Sequence, residues 1–195
     1  MIVIVDLGIG NLANVRKALG GIVTSNPYEI ERAEKLVLPG VGNFGAVVER
    51  LEPLRGMILD AINDGKPLLG ICLGLQLLFE ESEESPEKPG LGVFKGRAVR
   101  FREVRTPHIG WNQLWKRKDC ELFEGIHDGA YFYFVHSYYA VPEEDVVAGV
   151  TDYESKENKV VFTSAVCRDN VYAVQFHPEK SGRNGLMVMR NFRGL

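Results

Sequence analysis

Short β-branched runs alternate with helix-period stretches through the first half of the chain. Residues 2–5 precede 11–19, 22–24 precede 28–33, 35–38 precede 46 to about 63, and 68–71 precede 73–79. Strands that alternate with helices predict βαβ units and a parallel sheet covered on both faces. In the second half, runs at 93–101, 131–135, 146–150, 160–166 and 171–176 follow one another with little helix between them, which predicts antiparallel strands. A closing helix is expected over 185–193. The expected fold is α/β: a mixed, largely parallel central sheet flanked by helices, with additional antiparallel strands in the C-terminal half. The acidic, proline-containing segment 80–90 reads as a solvated loop.

A length of 195 residues accommodates one domain over 1–195 and leaves little room for a second catalytic unit. The 23 Lys and Arg against 26 Asp and Glu give a net charge of −3, which lacks the positive excess used to bind a phosphate backbone. Nucleic acid is therefore not an expected partner. The longest apolar stretch, 67–79, is interrupted by Gly70, Gly74 and Gln76 and falls short of the ~20 residues that span a bilayer. The opening Met1-Ile2-Val3-Ile4-Val5-Asp6 has no basic region ahead of its apolar run, so a signal peptide is not expected and the cytoplasm is the expected location. Cys72, Cys120 and Cys167 are odd in number, far apart and without CxxC spacing, which argues against a disulfide framework and a structural zinc site.

The chemistry concentrates at Gly70-Ile71-Cys72-Leu73-Gly74-Leu75-Gln76, where an apolar strand passes through Gly-x-Cys-x-Gly directly into a helical pattern. This is the arrangement of a nucleophile elbow: glycines relieve the crowding of a sharp turn and leave the sulfur accessible. Unpaired N–H groups at the start of the helix favour the thiolate. A lone cysteine beside packing glycines is more often structural, so the flanking residues decide.

A cysteine nucleophile needs a base, and among His108, His127, His136 and His177 only His177 ends an apolar strand. In an extended chain residues i and i+2 share a face, so Glu179 is expected to reach the His177 ring, with Pro178 keeping the tripeptide extended. A third element, Pro39-Gly40-Val41-Gly42, lets a strand run into a glycine-rich loop. Acyl transfer develops an oxyanion that backbone N–H groups stabilise. The Leu73 amide would supply one such group and this loop the other. The loop is not a phosphate-binding one, since Gly-Lys-Ser/Thr is missing.

Together these three elements, in this order and spacing, resemble the signature of triad-type (class I) glutamine amidotransferases. Pro107-His108-Ile109-Gly110-Trp111-Asn112, Tyr133-Phe134-Val135-His136-Ser137-Tyr138, His177-Pro178-Glu179-Lys180-Ser181 and the opening Val5-Asp6-Leu7-Gly8-Ile9-Gly10-Asn11-Leu12 are similar to the family of glutaminase subunits of imidazole glycerol phosphate synthases. The resemblance covers essentially the whole chain. It implies that Cys72 attacks the side-chain amide of glutamine, with His177 as acid and base and Glu179 orienting it. Val41 and Leu73 would form the oxyanion hole, with Gly40 and Gly42 lining it. Gln76, Glu84, His136, Ser137 and Tyr138 would hold the amino-acid end of glutamine.

The resemblance further implies a heterodimer with a cyclase subunit, a (β/α)₈ barrel whose bound nucleotide stimulates the glutaminase. Asn11, Trp111, Tyr133 and Lys180 would lie at that interface, with Trp111 as the anchor. No cofactor or metal is implied. The connection Gly20-Gly21 is shorter than is usual in the family. Two other readings stay open at this level: a stand-alone cysteine hydrolase of another amide or ester, and a non-catalytic subunit that keeps the fold as a scaffold.

Overall fold

The computed structural model describes residues 1–155 and 157–195. Its first half comprises β1 (Ile2–Val5), α1 (Leu12–Leu19), β2 (Ile22–Thr24), α2 (Pro27–Glu31), β3 (Lys35–Gly40), α3 (Phe44–Leu51), α4 (Arg55–Asn63), β4 (Leu68–Cys72) and α5 (Leu73–Leu77). There follow β5 (Glu81–Ser82), β6 (Gly96–Arg100), β7 (His108–Lys116), β8 (Ala130–His136), β9 (Tyr138–Pro142), β10 (Val147–Glu154), β11 (Lys159–Arg168), β12 (Val171–Val174) and α6 (Gly182–Gly194). The main sheet runs in the order β2-β1-β3-β4-β12-β11-β10-β7-β8, with β5, β6 and β9 branching from it. Strands β2 to β12 along that order are parallel, and β11, β10, β7 and β8 continue antiparallel. This is the expected mixed sheet, except that the run 171–176, expected among the antiparallel strands, supplies β12, which lies parallel to β4 and is antiparallel only to β11.

Alternate residues of one strand feed opposite faces. Val3, Leu36, Leu38 and Leu68 join a core with Phe44, Phe79 and Phe94, whereas Ile4, Val37, Leu69 and Ile71 join Phe132, Phe134, Phe176 and Phe192 on the other side. The central strands β4 and β12 are buried along their whole length, which is why they read as unbroken apolar runs.

Three expectations need correction. The predicted helix 46–63 is two helices, because Pro53 sits in a 3-10 turn at Glu52–Leu54 and removes a donor from the helical ladder. Strands β7 and β9 went unanticipated, since their mixed polar and aromatic residues lack a clean two-residue period. Segment 80–90 is not simply solvated. Glu81–Ser82 pairs with β6, Ser82 and Ser85 are buried, and the Ser85 hydroxyl accepts from the Gly45 N–H at 3.1 Å. Among the described residues no helix is long and apolar enough to cross a membrane.

Candidate active site

Cys72 ends β4 and immediately precedes α5, with φ 55° and ψ −108°. Positive φ is costly for a residue with a Cβ and persists only where the surroundings enforce it. Here they do: the backbone of Gly74 lies against the Leu38 carbonyl of β3, and a Cβ at Gly74 would overlap that oxygen. Any larger residue would push α5 off the sheet and open the elbow. The Cys72 side chain is 5% exposed, with its Sγ 3.8 Å from the Val135 carbonyl and 3.6 Å from the Gln175 amide nitrogen.

Strand β12 lies parallel to β4, with Val174 opposite Ile71, so both chains emerge on the same side of the sheet. The residues leaving β12 therefore pass beside Cys72. His177 Nδ1 is 2.9 Å from Glu179 Oε1, and both side chains are 2% exposed. The contact arises differently from the sequence-based expectation, because Pro178–Lys180 is a 3-10 turn instead of an extended tripeptide. Pro178 starts that turn, and the turn folds Glu179 back onto the ring. The Tyr133 carbonyl accepts from the His177 N–H at 2.9 Å, and the Ser181 hydroxyl donates to the His177 carbonyl at 2.6 Å, which anchors the turn to β8.

Since a carboxylate only accepts, Nδ1 carries a proton and Nε2 is the nitrogen available for chemistry. Nε2 is buried without a hydrogen-bond partner among the described residues. Burial pulls the His177 pKa down, but the charge of the Cys72 sulfur and the Glu179 carboxylate outweigh it and hold the ring up to about 10.

Gly40 stands opposite Cys72 in the β3–β4 register, and a Cβ on it would come within 2.8 Å of the Leu73 Cβ. That close approach sets the loop after β3 on the lip of the elbow. Val41, Gly42, Cys72, Leu73, Gln76, Glu84, His136, Ser137 and Tyr138 then line one cleft of about 290 Å³, together with Pro107 and Val135. All the residues assigned to glutamine binding or the oxyanion hole thus converge, with Gly40 packed just behind.

The wall of the cleft is held from behind. Gln76 Nε2 donates to the Tyr138 carbonyl at 3.0 Å and to Gln175 Oε1 at 3.1 Å. Glu84 accepts from the Phe44 N–H at 2.6 Å, so it also satisfies the start of α3. His136 Nδ1 donates to the Tyr138 carbonyl at 2.8 Å, and its Nε2 accepts from His108 Nδ1 at 3.1 Å. Burial depresses both rings, His136 to about 3 and His108 to about 4, which keeps the pair neutral. Sequence reasoning missed Gln175, His108 and Ser181. Gln175 had a signal, a polar residue inside the apolar run 171–176, and it proves fully buried.

Trp111 lies on β7 directly across from Tyr133 on β8, and it is 55% exposed. Its ring is 6.1 Å from that of Tyr133, over which Lys180 Nζ sits at 6.0 Å. Asn11 precedes α1, which packs against the 3-10 turn carrying Lys180. Trp111, Tyr133 and Lys180 therefore cluster beside the His177 turn, and Asn11 begins a helix that packs against it.

A cysteine elbow on a parallel sheet, facing a buried His–Glu pair, defines a class that the comparisons identify. The family model described as Glutamine amidotransferase class-I matches residues 3–193, and the chain belongs to that family. Among solved structures, a glutamine amidotransferase aligns with TM-score 0.72 at 20% identity over 100% of both chains. PurLQS from Thermotoga maritima aligns with TM-score 0.72 at 18% identity, over 98% of this chain and 96% of that one. At those identities the likeness is one of fold. The particular relatives are far closer in sequence. Imidazole glycerol phosphate synthase subunit HisH of Thermococcus kodakarensis is 82% identical over 100% of both chains, and that of Pyrococcus furiosus is 66% identical over 100% of this chain and 98% of its own.

Proposed function

We propose that this chain is the glutaminase subunit of an imidazole glycerol phosphate synthase. It hydrolyses glutamine to glutamate and ammonia and passes the ammonia to a cyclase subunit, a (β/α)₈ barrel. That subunit forms imidazole glycerol phosphate and an aminoimidazole carboxamide ribonucleotide in histidine biosynthesis. Residues 1–195 act as one glutaminase unit, and the cytoplasm is its location.

The observation that carries the reading is the buried His177–Glu179 pair, whose ring pKa is held up by the charge of Cys72, the cysteine that lines the 290 Å³ cleft. The Cys72 thiolate attacks the amide carbon of the glutamine side chain, and the N–H groups of Val41 and Leu73 receive the oxyanion. The imidazolium of His177 gives its Nε2 proton to the leaving nitrogen, and ammonia departs from a thioester. Neutral His177 then takes a proton from water, which attacks the thioester and releases glutamate and the Cys72 thiolate. A pKa held up to about 10 keeps that first proton in place at neutral pH. Glu179 orients the ring through Nδ1. Gly40 and Gly42 shape the oxyanion side, while Gln76, Glu84, His136, Ser137 and Tyr138 hold the amino-acid end of the substrate. Asn11, Trp111, Tyr133 and Lys180 meet the cyclase.

Glutamate release from glutamine, measured with and without the cyclase subunit and its nucleotide ligand, tests the reading. Glutamine-dependent release that rises with the liganded partner is expected. Hydrolysis of other amides or esters in preference to glutamine would point to a stand-alone hydrolase instead.

A further inference from the structure

Cys120 and Cys167 are separated by 46 residues of sequence, yet the fold brings their sulfurs within 4.8 Å of each other. Neither belongs to the glutaminase site, and both are free. Cys167 lies on β11, opposite Tyr172 in the register with β12, and is 7% exposed. Cys120 precedes the 3-10 turn Glu121–Phe123 and is half-buried, opening into a surface cleft of about 440 Å³ flanked by Lys116, Lys118 and Phe123. That turn is tied to the closing helix, because Asn191 Nδ2 donates to the carbonyls of Leu122 and Glu124, each at 2.9 Å.

From this juxtaposition we propose that Cys120 and Cys167 form a disulfide by exchange with a low-molecular-weight disulfide. The thiolate of one cysteine attacks a sulfur of the small disulfide, giving a mixed disulfide and releasing one small thiolate. The second cysteine, once deprotonated, attacks the protein sulfur of that mixed disulfide and expels the second thiolate. Both protons end on the small thiols, so two protein thiols are oxidised as one small disulfide is reduced. The surface cleft admits the small molecule to Cys120, and Cys167 is close enough to complete the bond without crossing the core.

Two features favour this product. The two sulfurs already lie within 4.8 Å of each other, so a mixed disulfide formed on Cys120 sits beside Cys167. A disulfide is also uncharged, which suits the apolar cluster to which Cys167 and its register partner Tyr172 belong. A metal bound to the same group would have two thiolates and the exposed Glu121 carboxylate as its only ligands among the described residues. The bond would close a long loop and brace the 3-10 turn, with α6 behind it, against the sheet.

The test treats the full chain with oxidised glutathione, alkylates it, and maps the peptides without reduction. The expected result is a cross-linked peptide joining 120 to 167, two hydrogens lighter than the separate thiol peptides, while Cys72 remains alkylated. The melting temperature should rise by about 10 °C over the dithiothreitol-treated protein. Cys120→Ser and Cys167→Ala should each lack the cross-link and show no difference in melting temperature between oxidised-glutathione and dithiothreitol treatment. Alkylation or glutathionylation of both cysteines with no cross-link would overturn the proposal. So would a stoichiometric zinc ion that survives dialysis and protects both thiols.

Discussion

The Cα of Gly74 is seated against the carbonyl oxygen of Leu38, and this contact between α5 and β3 creates the turn on which Cys72 stands. Overpacking ordinarily costs ~1–3 kcal/mol when side chains can shift. Here the obstacle is backbone on a fully buried strand residue. Gly74→Ala should therefore lower the melting temperature and abolish glutamine hydrolysis together. A variant that melts normally and retains activity would show that the elbow does not depend on this contact.

Removal of the nucleophile separates chemistry from folding. Cys72→Ala should lose glutaminase activity by at least ~1000-fold with the fold retained, whereas Cys120→Ala and Cys167→Ala should remain active. Near-normal hydrolysis by Cys72→Ala in a steady-state assay would end the thioester mechanism.

The His177–Glu179 contact predicts graded losses. His177→Ala should be almost as damaging as Cys72→Ala, and Glu179→Gln milder, because an orienting acceptor matters less than the base it orients. Kinetics showing Glu179→Gln as the more severe variant would give the carboxylate a different role.

The same ring has a distinctive titration. In the wild type, nitrogen NMR should find His177 charged through neutral pH and losing its proton near 10. In Cys72→Ala the transition should move to lower pH, since burial then acts against the charge without the sulfur. A folded-state pKa above the unfolded value of about 6.5 means that the linked stabilisation is complete below pH 6.5 and disappears as the pH rises through about 10. An unmoved titration in Cys72→Ala would show that the sulfur does not act on the ring.

Trp111 offers a test of the partner. Trp is prominent among residues that concentrate interface energy, and this one is 55% exposed in the isolated chain. Trp111→Ala should weaken cyclase binding by ~2 kcal/mol or more in a calorimetric titration, with the melting temperature of the free subunit little changed. Unchanged affinity would remove Trp111 from the interface.

The sequence by itself determined the elements whose causes are local or periodic. The buried runs of β3 and β4 read as strands of a parallel sheet, and Gly-x-Cys-x-Gly announced the elbow because the steric demand of a sharp turn falls on residues adjacent in the chain. The run 171–176, by contrast, read as one of the antiparallel strands, and only the fold set it parallel beside β4. The motifs also singled out His177 and Glu179. The tertiary structure decided how those two meet, since Pro178 begins a 3-10 turn whose position depends on bonds to Tyr133 and Ser181. It likewise decided that Gln175 reaches the Cys72 sulfur, that His108 supports His136, and that Cys120 faces Cys167. Each of these contacts joins segments distant in the chain, brought together by strand register and by the turns packed against the strands. Register is set by the packing of the whole sheet, which no local pattern of residues encodes.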